Sequence, residues 1–293
     1  KSTDGSAKFL EKYKDEFKGK IIFIKNEENL GKAASINRVL NYIRTPYVLI
    51  LDADTVLDER FAHEVMRGFY SKDVMGVSGV VLPRNIKSRT QHSRLIEYLL
   101  GTQHKKTQMA LRGVWTIAGC SMMWKTSFLR EHNFPTDSIV EDMSLTWKAQ
   151  ASVDPERGRK YKIGFSPKAL SYTDEPETFK QYINQTDRWF SIRGVLKDNF
   201  KDVSLGLKTL TLWVFAESLF PLIWLAILGW LLLTANYLAL FIGLTLDLGI
   251  LSAISLYLGK KHRYGLRKIV RGIGWFWVYR FVNAIQFWRR MLK

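Results

Sequence analysis

Two carboxylates one residue apart, Asp52 and Asp54, close a run of strand-forming residues, Tyr47-Val48-Leu49-Ile50-Leu51. Carboxylate oxygens just past a buried strand suit a hard divalent cation, and such a cation is commonly shared with substrate phosphates. A second acidic pair, Glu141-Asp142, offers a base. Gln185-Thr186-Asp187-Arg188-Trp189 then offers a guanidinium fork for phosphate oxygens and a flat indole for a sugar. A long apolar tail follows. Taken in this order, the four signals imply chemistry on a nucleotide-sugar at a membrane. Each also has a plainer reading: acids cap turns and complement helix dipoles, and an Arg-Trp pair beside a membrane anchors a helix.

The elements that must position these residues alternate between helix and strand. The pattern predicts helices over 7–16, 32–43, 59–70, 93–108 and 141–150. It predicts strands over 20–25, 47–51, 74–82 and 161–165, with 115–124 extended. Alternation of this kind gives an α/β sheet with flanking helices. The composition changes near residue 205. Residues 218–235 carry no charge and residues 236–258 carry one, Asp247, so each segment is long enough to cross the ~30 Å hydrocarbon layer as a helix. Glu217 and Asp247 are costly there unless they face other helices. Residues 272–288 are aromatic-rich and carry Arg280, which leaves both a spanning and an interfacial reading open. The expected division is a cytosolic domain over 1–204 and a membrane region over 205–293.

Lys and Arg number 44 against 27 Asp and Glu, a net charge of +17. Ten of the basic residues lie between Gly259 and Lys293, where there is no acid. A basic stretch between and beyond apolar segments reads as a juxtamembrane patch, and the six Lys and Arg of 260–271 place that loop in the cytosol. No nucleic-acid-binding motif is present, so nucleic acid is not an expected partner. A single cysteine, Cys120, excludes an intrachain disulfide.

The order of motifs resembles the inverting family-2 glycosyltransferases, in particular the membrane-integrated synthases of β-linked polysaccharides. Ser2-Thr3-Asp4-Gly5-Ser6 is similar to the end of that family's early acidic motif, whose acidic pair would precede Lys1. The expectation is that the chain, which opens without Met, begins inside a longer protein. The resemblance implies a GT-A-type nucleotide-sugar fold. It implies that Asp52 contacts the donor and that Asp54, with Asp52, binds Mg²⁺ or Mn²⁺. Lys32, in Asn29-Leu30-Gly31-Lys32-Ala33-Ala34-Ser35-Ile36-Asn37, would reach a phosphate. Gly119 and Cys120, in Ala118-Gly119-Cys120-Ser121, would line the acceptor end. Asp142, helped by Glu141, would be the general base. Gln185 and Arg188 would hold the diphosphate, and Trp189 would stack on the acceptor sugar. Asp174 stands where the family more often has Glu in the loop before the last motif.

The run Glu141-Asp142-Met143-Ser144-Leu145-Thr146-Trp147-Lys148 is similar to poly-N-acetylglucosamine synthases, which makes UDP-N-acetylglucosamine the first choice of donor. The implied partners are a UDP-sugar, a polysaccharide or glycolipid acceptor, membrane lipids and a small membrane accessory subunit. The implied location is the plasma membrane, with export through the chain's own helices. Transfer of one sugar to a lipid is the competing enzymatic reading. A membrane scaffold with a degenerate transferase domain is the non-enzymatic one, and the retained Asp52, Asp54, Asp142, Arg188 and Trp189 argue against it.

Overall fold

The computed structural model describes residues 5–14, 16 and 21–293, so residues 1–4 of the early motif lie outside the described residues. Five strands form one sheet: β1 (Tyr47–Leu51), β2 (Val56–Leu57), β3 (Val74–Pro83), β4 (Ser121–Lys125) and β5 (Lys162–Thr173). Their spatial order is β1-β4-β3-β5-β2. β3 and β5 run parallel, and every other pairing is antiparallel. β3 is buried along its whole length, as its uninterrupted Val-rich run requires of a central strand.

Helices cover the sheet. They are α1 (Ser6–Lys14), α2 (Gly31–Val39), α3 (Phe61–Met66), α4 (Arg89–Ala110), α5 (Thr126–His132), α6 (Glu141–Ala151), α7 (Phe179–Trp189) and α8 (Arg193–Asn199). α4 and α7 start at reciprocal capping boxes, Ser88 with Gln91 and Thr178 with Gln181, where side chains satisfy the first backbone N–H groups. α4 packs on β3 and β5 through Leu95, Ile96 and Leu99, facing Val80, Leu82 and Phe165.

Five expectations are corrected. Residues 21–25 form no strand, because no strand pairs with them among the described residues. The stretch 115–124 is strand only from Ser121, because its earlier backbone N–H groups are taken by side chains of α6. Val114 N–H donates to Gln150 Oε1 (2.8 Å), Ile117 N–H to Thr146 Oγ1 (3.1 Å) and Gly119 N–H to Asp142 Oδ2 (3.0 Å). Asp142, Thr146 and Gln150 are four apart and share one helix face. β5 runs well past residue 165, because Pro167 falls where the pairing with β3 skips register, between Phe165 opposite Ser78 and Leu170 opposite Val80. A proline is tolerated at such an irregularity and hides the strand from pattern reading. The 59–70 helix is shorter than expected, and the 93–108 helix is longer at both ends.

Three long helices end the chain: α9 (Leu205–Leu233), α10 (Tyr237–Lys261) and α11 (Leu266–Leu292). α9 and α10 are long and apolar enough to cross a membrane, and only 11% of each apolar window is buried, unlike a core helix. Asp247 of α10 is paid for by its neighbours. It accepts from the indoles of Trp224 (3.0 Å) and Trp277 (2.7 Å) and pairs with Arg280, so one carboxylate ties α9, α10 and α11 together. α11 lies along α4: a Cβ on Gly272 would come within 2.5 Å of the His92 carbonyl oxygen, a close approach of the two helices. The basic loop expected over 260–271 is mostly helical, with only 262–265 between α10 and α11.

Candidate active site

Four of the residues singled out in the sequence meet in one hydrogen-bonded chain. Lys32, at the start of α2, pairs with Asp52 at the end of β1 (Nζ to Oδ1, 2.6 Å) and donates to the Gly119 carbonyl (2.9 Å). Gly119 N–H donates to Asp142 Oδ2, and Met143 N–H donates to Asp142 Oδ1 (2.7 Å). Residues far apart in the chain therefore converge, because β1 and β4 are neighbours and α6 underlies the loop that enters β4. Gly119 is compelled by geometry: a Cβ there would lie 2.9 Å from Asp142 Oδ2. Cys120 adjoins this chain, and its carbonyl accepts from Asp52 N–H (3.0 Å).

Asp54 is exposed beside Asp52. Its Oδ1 lies 3.4 Å from the hydroxyls of Thr55 and Thr173, and it makes no ion pair among the described residues. Among those residues no three or more His, Cys, Asp or Glu gather to hold a metal by themselves. Two hard carboxylates at a strand end nonetheless fit a cation that takes its remaining oxygens from phosphates and water.

The Gln185–Trp189 segment forms the last turns of α7, and one side of it is bolted to α11. Tyr182 OH donates to Asn283 Oδ1 (2.6 Å), Thr186 Oγ1 to Gln286 Oε1 (2.8 Å), and Asp187 pairs with Arg289 and Arg290. The other side chains have no such tie to α11. The Arg188 side chain is exposed with no hydrogen bond or ion pair among the described residues, Gln185 Oε1 is buried without a partner there, and Trp189 is 36% exposed, with the Arg94 guanidinium 4.5 Å over its ring. No hydrogen bond or ion pair among the described residues joins the Gln185 or Arg188 side chain to the Asp52–Asp142 chain.

The model of the glycosyl transferase family group 2 matches residues 47–279. The chain belongs to this family. The family-2 transferase is 31% identical over 192 residues to the poly-β-1,6-N-acetyl-D-glucosamine synthase of Staphylococcus aureus (strain COL), an alignment covering 64% of this chain and 44% of that protein. It is 29% identical over 247 residues to the synthase of the same name from Staphylococcus epidermidis, covering 81% of this chain and 57% of that protein. The chain thus spans about half the length of these relatives. The fold matches a mannosyltransferase from Pyrobaculum calidifontis, solved with GDP-mannose and Mn²⁺, at a TM-score of 0.60 and 17% identity, covering 99% of this chain and 75% of that one. The mixed sheet with flanking helices is therefore a GT-A-type fold.

Burial and charge tune the transferase's site. Burial, followed by the adjacent Glu141 charge, pushes the Asp142 carboxyl above its ordinary value against the opposing pull of the Met143 and Gly119 N–H groups and Lys32. Glu141 makes no side-chain hydrogen bond among the described residues and acts on Asp142 through charge. Burial raises the Cys120 thiol to about 11, so it stays protonated and is no nucleophile.

Sequence reasoning passed over Lys105. Its ammonium donates to Ser78 Oγ (2.6 Å) on β3, faces Cys120 and Asp142, and is lowered by burial to about 8. Within Gln103-His104-Lys105-Lys106-Thr107 it reads as one of two solvated lysines on a polar helix, and nothing local distinguishes it.

Proposed function

We propose that this transferase moves N-acetylglucosamine from UDP-N-acetylglucosamine to the end of a growing β-linked polysaccharide at a membrane. The synthases to which it is similar make a poly-β-1,6-N-acetyl-D-glucosamine by name. The observation that carries the reading is the half-buried Asp142 carboxylate, held by two backbone N–H groups at one end of a chain whose other end is Asp52.

Asp142 takes the proton of the acceptor hydroxyl as that oxygen bonds to C1 of the donor sugar. The C1–O bond to the diphosphate breaks on the opposite face, and UDP leaves with the electron pair. Attack opposite the leaving group turns an α-linked donor into a β-linked product, and charge builds on C1 as in glycoside hydrolysis. A carboxylate with a raised pKa is a stronger base for this task than an ordinary one. Arg188, free of internal partners, forks onto the diphosphate. Lys32 exchanges its Asp52 partner for a phosphate oxygen. Asp52 and Asp54 hold Mg²⁺ or Mn²⁺, which when bound stabilises the charge on the departing diphosphate. Gln185 turns its unpartnered oxygen toward the donor, while Trp189, Gly119 and Cys120 line the acceptor side.

Residues 1–204 form the catalytic domain, and 205–293 form the membrane region, through which the polymer leaves. The basic end of α10 and start of α11 support a catalytic domain on the cytosolic side, and the reading takes the membrane to be the plasma membrane. The test is incubation of the full-length protein in nanodiscs with Mg²⁺ or Mn²⁺ and a panel of labelled UDP-sugars, followed by sizing of the product. High-molecular-weight material from UDP-N-acetylglucosamine alone is the expected result. A single labelled lipid would move the reading to a glycolipid synthase. No transfer and no metal-dependent UDP binding would remove the enzyme reading altogether.

A further inference from the structure

Arg94 belongs to none of the motifs, yet it is the most completely buried charge in the catalytic half, with its side chain 1% exposed within α4. An unpaired charge at such a site costs several kcal/mol, so its partners matter. Its Nε donates to Glu175 Oε2 (2.7 Å), a carboxylate also 1% exposed, and a second nitrogen pairs with Glu97 (2.7 Å). Charge balance alone would be met by a lysine. The planar group does more: its central carbon lies 4.5 Å from the centroid of the Trp189 indole and 4.8 Å from the Tyr98 ring. The hydrogen bond to Glu175, a second from the far nitrogen to the Tyr98 hydroxyl (3.3 Å) and the Glu97 charge hold the plane of the fork, and a fixed plane fixes the tilt of an indole stacked on it.

The guanidinium also lies 5.7 Å from the Tyr182 ring, but of these rings Trp189 is the one it approaches most closely. The contacts that bolt α7 to α11 run through Tyr182, Thr186 and Asp187 and leave Trp189, the last residue of the helix, without such a tie. Glu175 comes from the segment between β5 and α7. Its carbonyl accepts from Gln91 Nε2 (3.0 Å), and its neighbour Asp174 accepts from Arg84 and Asn85. The same segment that leads into the motif helix therefore also sets the arginine beneath its tryptophan.

We propose that Arg94 is a positioning residue for the acceptor: backed against one face of Trp189 and clamped by Glu175 and Glu97, it presents the other indole face to the acceptor sugar. The inference rests on the acceptor role proposed for Trp189.

The test uses the full-length protein in nanodiscs, with short β-linked N-acetylglucosamine oligomers titrated at saturating UDP-N-acetylglucosamine. Arg94→Lys keeps the charge and removes the plane. It is expected to raise the KM for the oligomer about tenfold while leaving the donor KM within about twofold. In a Trp189→Ala background the same change should add nothing, because its effect runs through the indole. A normal oligomer KM in Arg94→Lys, or effects of the two changes that multiply, would overturn the proposal. If Arg94→Lys does not fold, Glu97→Gln loosens the fork from its more exposed side. A rise of about threefold in the same parameter is expected, and no rise counts against the proposal. Failure of the wild type to transfer from any donor would instead sink the proposed function, and this inference with it.

Discussion

Asp52, Asp54 and Arg188 stand half or fully exposed, and the internal ties they have are few: one lysine on Asp52, two distant hydroxyls on Asp54, nothing on Arg188. By contrast, Asp142 has both carboxylate oxygens hydrogen-bonded by backbone N–H groups, and Arg94 and Glu175 are sealed at 1% exposure. The proposed donor side thus keeps its charged groups in water, where a diphosphate and a cation can claim them. The proposed acceptor side is finished before any ligand arrives. Charged ligands repay groups left solvated, since desolvation is then shared at the moment of binding. A neutral sugar offers no such repayment, so its platform and base must be set in advance by packing.

That contrast is open to attack from both sides. The largest effect is expected from Asp142→Asn. Loss of the base should lower transfer by about 10²- to 10⁴-fold while UDP binding by calorimetry stays intact. Equal loss of both would mean that Asp142 serves the donor. Gly119→Ala comes next. Its methyl would meet Asp142 Oδ2 at 2.9 Å, so the carboxylate must move. A displacement of that kind should lower kcat by about 10²-fold with the donor KM little changed.

Lys32→Met tests the solvated side. The Lys32–Asp52 pair is about a third exposed on each partner, so the thermal midpoint should shift by no more than the ~1 kcal/mol such pairs contribute. The donor KM, by contrast, should rise about tenfold. A large loss of stability with an unchanged donor KM would reverse the comparison.

The smallest effect sought is in the pH profile. As the proposed base, Asp142 would have to be ionised, and its pKa is raised, so activity should fall on acidification above the usual carboxylate range. Lys105 is lowered to about 8 from an ordinary 10.5, so the folded state sheds its proton before the unfolded chain does. Stability should therefore rise with pH between about 8 and 10.5 through this group, and Lys105→Met should flatten that rise in thermal melts.

The legible parts of the molecule are those in which local pattern and burial agree. The 47–51 strand was read at its true limits because five apolar or β-preferring residues end abruptly at Asp52. The 141–151 helix was read within a residue, and both apolar spans were found by length and lack of charge alone. Where tertiary structure outbid local preference, the reading failed. Residues 115–120 have strand composition, but Gln108, Thr146 and Asp142 draw off the N–H groups of Trp115, Ile117 and Gly119. Lys105 and Arg94 sit in a helix whose surface reads as polar and solvated, and only its packing against the sheet and the later helices half-buries the first and fully buries the second.

By itself, the sequence determined which chemistries were available: paired carboxylates after a strand, an acidic helix start, an arginine and a tryptophan in one motif, and two membrane-length helices. These depend on residue type and short spacing, which survive without any fold. Only the tertiary structure decided which of those groups meet. Asp52, Lys32, Gly119 and Asp142 lie far apart along the chain and are joined by the pairing of β1 with β4 and by one face of α6. It also decided that Arg94 lies under Trp189, a contact across almost a hundred residues. Distances of that kind are set by how sheets and helices pack, and no local pattern in the chain encodes them.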